Sequence, residues 1–323
     1  MPAREWMLVE TLVEDLAPTL VATGADPKEW LPVSRWRREF GPRTCAALVD
    51  AVQRCRRTGE QVRIETDKAL VLAVPVICAF GDVHGVEVWC GTDDVVPPRR
   101  QVAAWDWQAN SELAYHGPGL EELVFAREPE LVEVVRTPPD AFGRMVRFDG
   151  RVEYLAVATR LVDGARWQGE VDMRGDDDVV RHFQMVTRAV PAQQRVTALM
   201  HAIPERTQPD PLPDPDIVML RAVSQTSGVG VGLVELSSAL IYEWAGEPPP
   251  PLDRWAVERP WVDPDDLAEL RAACAELVDR PGAVHRLALR VRFGAGDVMV
   301  AEAELAATTS GHGLLRVWSS QAG

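Results

Sequence analysis

One succession of strand-like and helix-like runs occurs three times along the 323 residues, and it restricts the chain to repeats of a small α+β unit. Each third opens with two β-rich runs separated by turn formers: residues 6–12 and 19–23, then 105–107 and 113–115, then 229–236 and 240–244. A polar or proline-containing middle follows, and after it an amphipathic helix over 43–57, 151–162 or 264–279. In the first helix Ala47, Leu48, Ala51, Val52 and Cys55 recur at spacings of three and four, which places them on one buried face. Leu267, Leu270, Cys274 and Leu277 do the same in the third, where Asp263 supplies an N-cap and Pro264 the first helical position. Gly59, Gly164 and Gly282 follow the helices, because a helix commonly ends on a left-handed residue that glycine adopts without strain. Alternating or apolar runs come next, joined by tight turns: 61–65, 70–79 and 83–89; 167–173 and 179–186; 284–293, 298–307 and 314–318. The compact way to bury such a set is a five-stranded antiparallel sheet with helices on one face, built three times over.

Two stretches separate the thirds. Residues 93–100 contain Pro97-Pro98, and residues 204–215 contain five prolines. Proline has no amide donor and a fixed φ, so neither stretch forms a helix or a central strand. The expected domains are therefore 1–98, 101–203 and 216–323.

Charge narrows the partners. With 34 basic and 49 acidic residues the net charge is -15, the wrong sign for displacing counterions from nucleic-acid phosphates or for adhering to an anionic membrane. Arg35, Arg37, Arg38 and Arg43 form a local basic run that reads as a solvated helix face. The five cysteines Cys45, Cys55, Cys78, Cys90 and Cys274 are odd in number and show no C-x-x-C spacing, so reduced thiols are expected and a metal or disulfide framework is not. The first residues lack the basic and apolar regions of a signal peptide, and the longest apolar run, 69–80, is too short to span a bilayer; a cytoplasmic location is expected.

Three segments of the second third, Arg166-Trp167-Gln168-Gly169-Glu170, Met173-Arg174-Gly175-Asp176-Asp177-Asp178 and Arg181-His182-Phe183, are similar to the strand–turn–strand end of PAS domains. In the last third Val262-Asp263-Pro264-Asp265-Asp266 resembles the His-Pro-x-Asp that opens the final PAS helix, with Asp263 where histidine is usual. The first third resembles either PAS or GAF domains. Over nearly its full length the chain is similar to an actinobacterial family of cytoplasmic proteins with three tandem PAS/GAF-like domains. The segments that carry this are Trp6-Met7-Leu8-Val9-Glu10-Thr11-Leu12, Val83-His84-Gly85-Val86, Arg136-Thr137-Pro138-Pro139, Val146-Arg147-Phe148 and Pro250-Pro251-Leu252-Asp253-Arg254-Trp255. The resemblance implies a sensor and assigns no catalytic residue.

No motif adds chemistry. A P-loop, H-E-x-x-H and G-x-S-x-G are all missing, and Gly228-x-Gly230-x-Gly232 fails the dinucleotide spacing. The six histidines, His84, His116, His182, His201, His285 and His312, are scattered, which suits surface or hydrogen-bonded roles. Among sensor cofactors, a flavin of the light-sensing type needs an Asn-Cys-Arg-Phe-like motif, and haem needs a helix histidine that neither 151–162 nor 264–279 contains. No cofactor, no metal and no catalysis are therefore expected.

What remains is a sensor or adaptor in signalling. Trp105, Trp107, Phe125, Trp167, Met173, Phe183 and Met185 are the candidates to face a small apolar or amphipathic ligand in the middle domain, since alternation puts every second strand residue on one face. The alternative is that the same residues simply fill the core, as in a purely structural scaffold. The three thirds occupy the whole chain and leave no effector, so output is expected through a protein partner or a homodimer. Ile217, Leu220 and Val223, at helical spacing after Asp214 and Asp216, form the candidate interface.

Overall fold

The computed structural model describes residues 5–92, 95–205, 215–280, 282–308 and 311–319, with the side chains of 215–217 not described. The linker reading over 93–100 falls partly, and that over 204–215 largely, outside the described residues. Each third supplies one sheet. The first comprises β1 (Met7–Glu10), β2 (Thr19–Thr23), β3 (Asp26–Pro32), β4 (Val62–Glu65), β5 (Leu70–Ile77) and β6 (Val83–Gly91), with α1 (Trp36–Phe40) and α2 (Pro42–Thr58) inserted before β4. The second comprises β7 (Val102–Gln108), β8 (Leu113–His116), β9 (Val135–Arg136), β10 (Met145–Arg147), β11 (Arg166–Arg174), β12 (Val180–Val190) and β13 (Arg195–Ala202), with α3 (Leu120–Phe125), α4 (Pro138–Phe142) and α5 (Arg151–Arg160). In the last third α6 (Pro215–Ser227) precedes β14 (Gly230–Glu235), β15 (Leu240–Gly246) and β16 (Trp261–Val262); α7 (Pro264–Asp279), β17 (Val284–Arg292), β18 (Met299–Ala307) and β19 (His312–Ser319) follow.

The strand orders repeat one pattern: β2-β1-β6-β5-β4, β8-β7-β13-β12-β11 and β15-β14-β19-β18-β17. In each, the opening hairpin pairs through its first strand with the last strand of the unit, so the chain's two ends meet in mid-sheet. The sheets hold six, seven and six strands rather than five, because β3, β9, β10 and β16 extend the edges. β3 reads Asp-Pro-Lys-Glu-Trp-Leu-Pro, without apolar alternation, and an edge strand tolerates its prolines because its outward amides need no partner. β9, β10 and β16 are two or three residues long, too short to show a period. β13 is the strand the sequence reading of the second third omits.

The helices form where their signals lie. Gly59, at φ 66°, ends α2 and donates its N–H to Cys55 O, while Leu48, Ala51, Val52 and Cys55 face the first sheet. The Asp263 side chain caps α7 by accepting from Asp265 N, and Asp266 fixes that helix to β17 by accepting from Arg290 N at 2.7 Å.

The chain divides into two compact units, Met1–Val135 with Arg147–Pro209, and Arg136–Val146 with Asp210–Gly323. The body of the first two sheets lies in the first unit, where they pack face to face. Leu8, Leu12, Val21, Ala22, Val76, Cys78, Ala104, Val186 and Leu199 make a core that neither sheet would have alone. Burial records the difference between units. β6, β7, β12 and β13 are buried on successive residues, hence on both faces, whereas β17 alternates, with Val284, Arg286, Ala288 and Arg290 outward.

Gly117 marks a close approach of the two sheets within the first unit. Its N–H donates to Ala104 O at 2.8 Å, and a Cβ there would lie 2.6 Å from Ile77 O and 3.1 Å from Cys78 Cα. Those are backbone atoms of the opposite sheet and cannot rotate aside. Gly117→Ala is expected to destabilise the chain by about 2–3 kcal/mol. Gly59→Ala, with open space but a left-handed φ, should cost only about 1 kcal/mol. Denaturant titration of the two variants measures the ranking, and equal costs would contradict the close approach.

Candidate functional site

The seam between the first two sheets collects an unusual density of buried polar side chains. Glu10 on β1 receives Arg188 from β12 through Nη2 at 2.9 Å and Nε at 3.2 Å, and also accepts from Thr19 Oγ1 at 2.6 Å. The Arg188 guanidinium lies over the Trp30 ring, 4.4 Å from its centroid. Gln184 Nε2 donates to Val21 O at 2.9 Å, and Thr197 Oγ1 to Leu12 O at 3.0 Å. Side chains of one sheet thus satisfy backbone and side-chain groups of the other.

At one end of the seam Cys78, His84, Asp106 and Arg195 converge. The turn from β5 to β6 is tight, with Cys78 N donating to Asp82 O and Gly81 at φ 89°. Val76 pairs with Gly85 and Ile77 with Val83, so His84 is the extra residue of a β-bulge. Bulges re-aim side chains, and His84 Nε2 donates to Asp106 Oδ1 on β7 at 2.7 Å. Gly85 beside it admits the Leu199 side chain of the second sheet, whose Cδ1 would lie 2.9 Å from a Cβ. Arg195 on β13 completes the group, with Nε 3.4 Å from Asp106 Oδ1 and Nη2 3.1 Å from Asp82 Oδ2. The Cys78, His84 and Asp106 donor atoms all lie within 4.8 Å of one another. Burial acts to lower the His84 pKa, but hydrogen bonds and charge from Asp106 and Cys78 outweigh it and raise it to about 9. A cavity of ≈590 Å³ adjoins the group, lined by His84, Asp82 and Thr11 from the first sheet and by Val190, Gln193 and Arg195 from the second.

Other titratable groups are buried away from this cluster. Burial pushes the Glu87 carboxyl up to about 7, against the pull of Arg99 and of the Arg100 amide. Burial, with Arg100 adding to it, lowers His201 to about 4, and its Nδ1 donates to Gln184 Oε1. His116 meets Glu121, and His182 meets Asp172. The hydrogen-bonded roles expected of the histidines hold for these three and for His84. Cys55 and Cys274 are buried thiols whose pKa burial raises to about 12. Arg35, Arg37, Arg38 and Arg43 are exposed.

Six of the seven candidate ligand residues share one face of the second sheet, the face turned away from the first. Register fixes this: Trp105 is opposite Ala198, Trp107 opposite Val196, Met185 opposite Gly169, Phe183 opposite Val171, and Trp167 opposite Thr187, with Met173 two residues beyond Val171. Phe125 comes from α3, and its ring stacks on His116 at 5.9 Å. Phe148 and Tyr154 pack against Trp167 edge-on at 5.3 and 5.9 Å, and Tyr154 reaches Trp105 at 6.2 Å. The candidate interface residues lie on α6, as the spacing predicts. Leu220 is half-buried and Val223 is 55% exposed, while the Ile217 side chain lies outside the described residues. Among the described side chains of α6, Ser224 rather than Val223 is buried, with Oγ donating to Val229 O at 2.6 Å.

The sequence reading missed the Cys78–His84–Asp106 group because its members come from two sheets and follow no ligand spacing. The signal that existed was Val83-His84-Gly85, a histidine beside a glycine inside an apolar strand.

Residues 5–99 match the family model described as Rv3651-like, N-terminal. No curated protein matches the chain. An uncharacterized protein from Mycobacterium tuberculosis, known from a crystal structure, is 21% identical with a TM-score of 0.75, over 97% of this chain and 95% of that one. The two share a fold across almost their whole lengths. A sensory box histidine kinase/response regulator from Burkholderia thailandensis is 17% identical over 39% of this chain and 89% of its own, with a TM-score of 0.27. An RNA-binding light-oxygen-voltage receptor is 13% identical over 68% and 95%, at 0.28. At such scores neither adds to the fold assignment. Among the described residues no helix is long and apolar enough to cross a membrane.

Glu87 gives this seam a pH dependence. Its folded pKa, about 7, is above the ordinary 4.5, so the folded state holds the proton more tightly. Stability from that preference is full below pH 4.5 and is lost as pH rises through 7. Glu87→Gln keeps the acceptor for the Arg100 amide without the charge. Relative to the native chain it should gain stability across that window, by an amount of order 3 kcal/mol, in denaturant midpoints measured at successive pH values. A pH-independent difference would show that Glu87 is not held protonated.

Proposed function

We propose that the chain is a non-catalytic, cytoplasmic sensor or adaptor of PAS/GAF type that works through a protein partner. The strand order repeated in three sheets, each with helices against it, supports the PAS-type reading. The match at residues 5–99 and the shared fold with the mycobacterial protein accord with the actinobacterial three-domain family it resembles. The observation that carries the adaptor role is the contrast in sheet burial. The first two sheets consume each other's faces, whereas the outer face of the third presents Val284, Arg286, Arg290 and Val300 to solvent. α6, the helix that leads into that sheet, exposes Val218, Met219 and Val223. Exposed apolar side chains interleaved with charge suit a reversible protein contact. The net charge of -15 disfavours nucleic acid.

A small ligand enters this reading at one of two places. The apolar face bearing Trp105, Trp107, Met173, Phe183 and Met185, with Phe125 and Trp167 at its rim, suits an apolar or amphipathic molecule. The seam cavity beside His84 and Arg195 suits a polar one. A scaffold without ligand is the second reading, favoured by the ring contacts among Trp105, Phe148, Tyr154 and Trp167 that occupy the middle domain's apolar face.

Native mass spectrometry of the purified full chain tests both. The sensor reading expects a bound small molecule and either a dimer or a retained partner; the scaffold reading expects association alone. Met219→Glu with Val223→Glu alters only exposed side chains, so the melting temperature should stay within about 2 °C of native, the shift a few tenths of a kcal/mol would give. The association should be lost. A native chain that is monomeric, empty and without a partner would refute the proposal.

A further inference from the structure

We propose that Cys78, His84 and Asp106 form a binding site for one divalent transition-metal ion of zinc-like softness. The three offer a thiolate sulfur, an imidazole nitrogen and a carboxylate oxygen, a donor set that suits zinc and cobalt(II) rather than magnesium or calcium. All three are at most 2% exposed, and their donor atoms all lie within 4.8 Å of one another. Donors around a tetrahedral zinc ion lie about 3.5 Å apart. The site therefore closes on an ion by side-chain rotations of order 1 Å, with the 2.7 Å contact between His84 and Asp106 opening to admit it.

Three further observations point to a ligand. Asp106 Oδ2 is buried and has no hydrogen-bond partner among the described residues, an arrangement that costs free energy unless something occupies it. Charge also balances when an ion is present and His84 and Cys78 have released their protons. Two positive charges meet one thiolate and one carboxylate, while Arg195 is matched by Asp82 at 3.1 Å, so a filled site adds no net charge to the interior. Finally, His84 and Arg195 both line the ≈590 Å³ seam cavity, which gives an ion a path inward and leaves room for a water as fourth ligand. The backbone serves the same end. The bulge turns His84 toward the second sheet, and Gly117 lets the β7–β8 hairpin lie against the Cys78 backbone.

The inference is independent of the sensor reading, since it concerns the chain alone, with neither partner nor organic ligand. Its test is a titration of the full chain, stripped by a chelator and kept reduced, with cobalt(II). The expected result is one ion per chain, with a near-ultraviolet thiolate-to-cobalt absorption band that zinc displaces. Cys78→Ser should abolish the band, Asp106→Asn should weaken binding at least about tenfold, and Cys45→Ser, outside the site, should leave it intact. No band at excess cobalt, or a band that survives Cys78→Ser, overturns the proposal and leaves a metal-free hydrogen-bonded cluster. The decisive reading is taken on the native chain, so it stands even if Asp106→Asn fails to fold.

Discussion

The fold of the first unit depends on sealing two sheet faces against each other while charged groups remain between them. Apolar burial drives the association, but Glu10, Arg188, His84, Asp106 and Arg195 can stay in the seam only as partners. Removing one member of a buried pair leaves a lone charge and typically costs about 3–5 kcal/mol, whereas replacing both with apolar residues can be neutral. These pairs therefore add little net stability and much registry. Displacing one sheet by a residue along the other would unpair Glu10 from Arg188 and His84 from Asp106 together. It would also separate the Gln184 and Thr197 side chains from the carbonyls of Val21 and Leu12. The alternatives are costly, so the two sheets have one arrangement.

That registry makes the polar cluster possible. Cys78 and His84 flank one turn, but Asp106 and Arg195 belong to strands of the other sheet. No local sequence rule assembles them; the seam does. The glycines at 85 and 117 matter for the same reason, since each lies where a β-carbon would hold the sheets apart. In the third sheet the described residues of β17 bury one face only, and its outward Arg286 and Arg290 pair at the surface with Glu304 and Asp263 respectively.

How much of this was legible follows the range of the interactions. α2 and α7 were readable almost to the residue, because periodicity and capping residues are local; Gly59 ends α2 as expected, whereas α7 ends on Arg280 rather than at Gly282. The alternation of β17 was readable because only one of its faces is buried. β13 was missed although it is central: Arg195-Val-Thr-Ala-Leu-Met-His-Ala is buried on both faces, which erases alternation. The repeat itself required a fifth strand there, and that inference was available. The aromatic set of the middle sheet was legible as one face, since Trp105 and Trp107 or Phe183 and Met185 share parity. What parity could not show is which face meets the other sheet. The same strand β7 that carries Trp105 and Trp107 outward carries Ala104 and Asp106 into the seam.

The position of the cavity adds a mechanical consequence. Its walls come from both sheets, with Thr11, Leu12 and Val83 on one side and Val190, Gln193 and Arg195 on the other. Anything bound there touches the two sheets at once and acts on groups already committed to cross-sheet pairing. A molecule that contacts only one sheet gains no leverage over their arrangement, because a ligand shifts an equilibrium only by its differential interaction with the two states. A molecule that competes for Arg195 or His84 weakens Asp106's partners directly. Chemistry at this end of the seam is therefore coupled to how firmly the first unit holds together, and the coupling needs no hinge or lid: it follows from placing the cavity where the registry-setting pairs end.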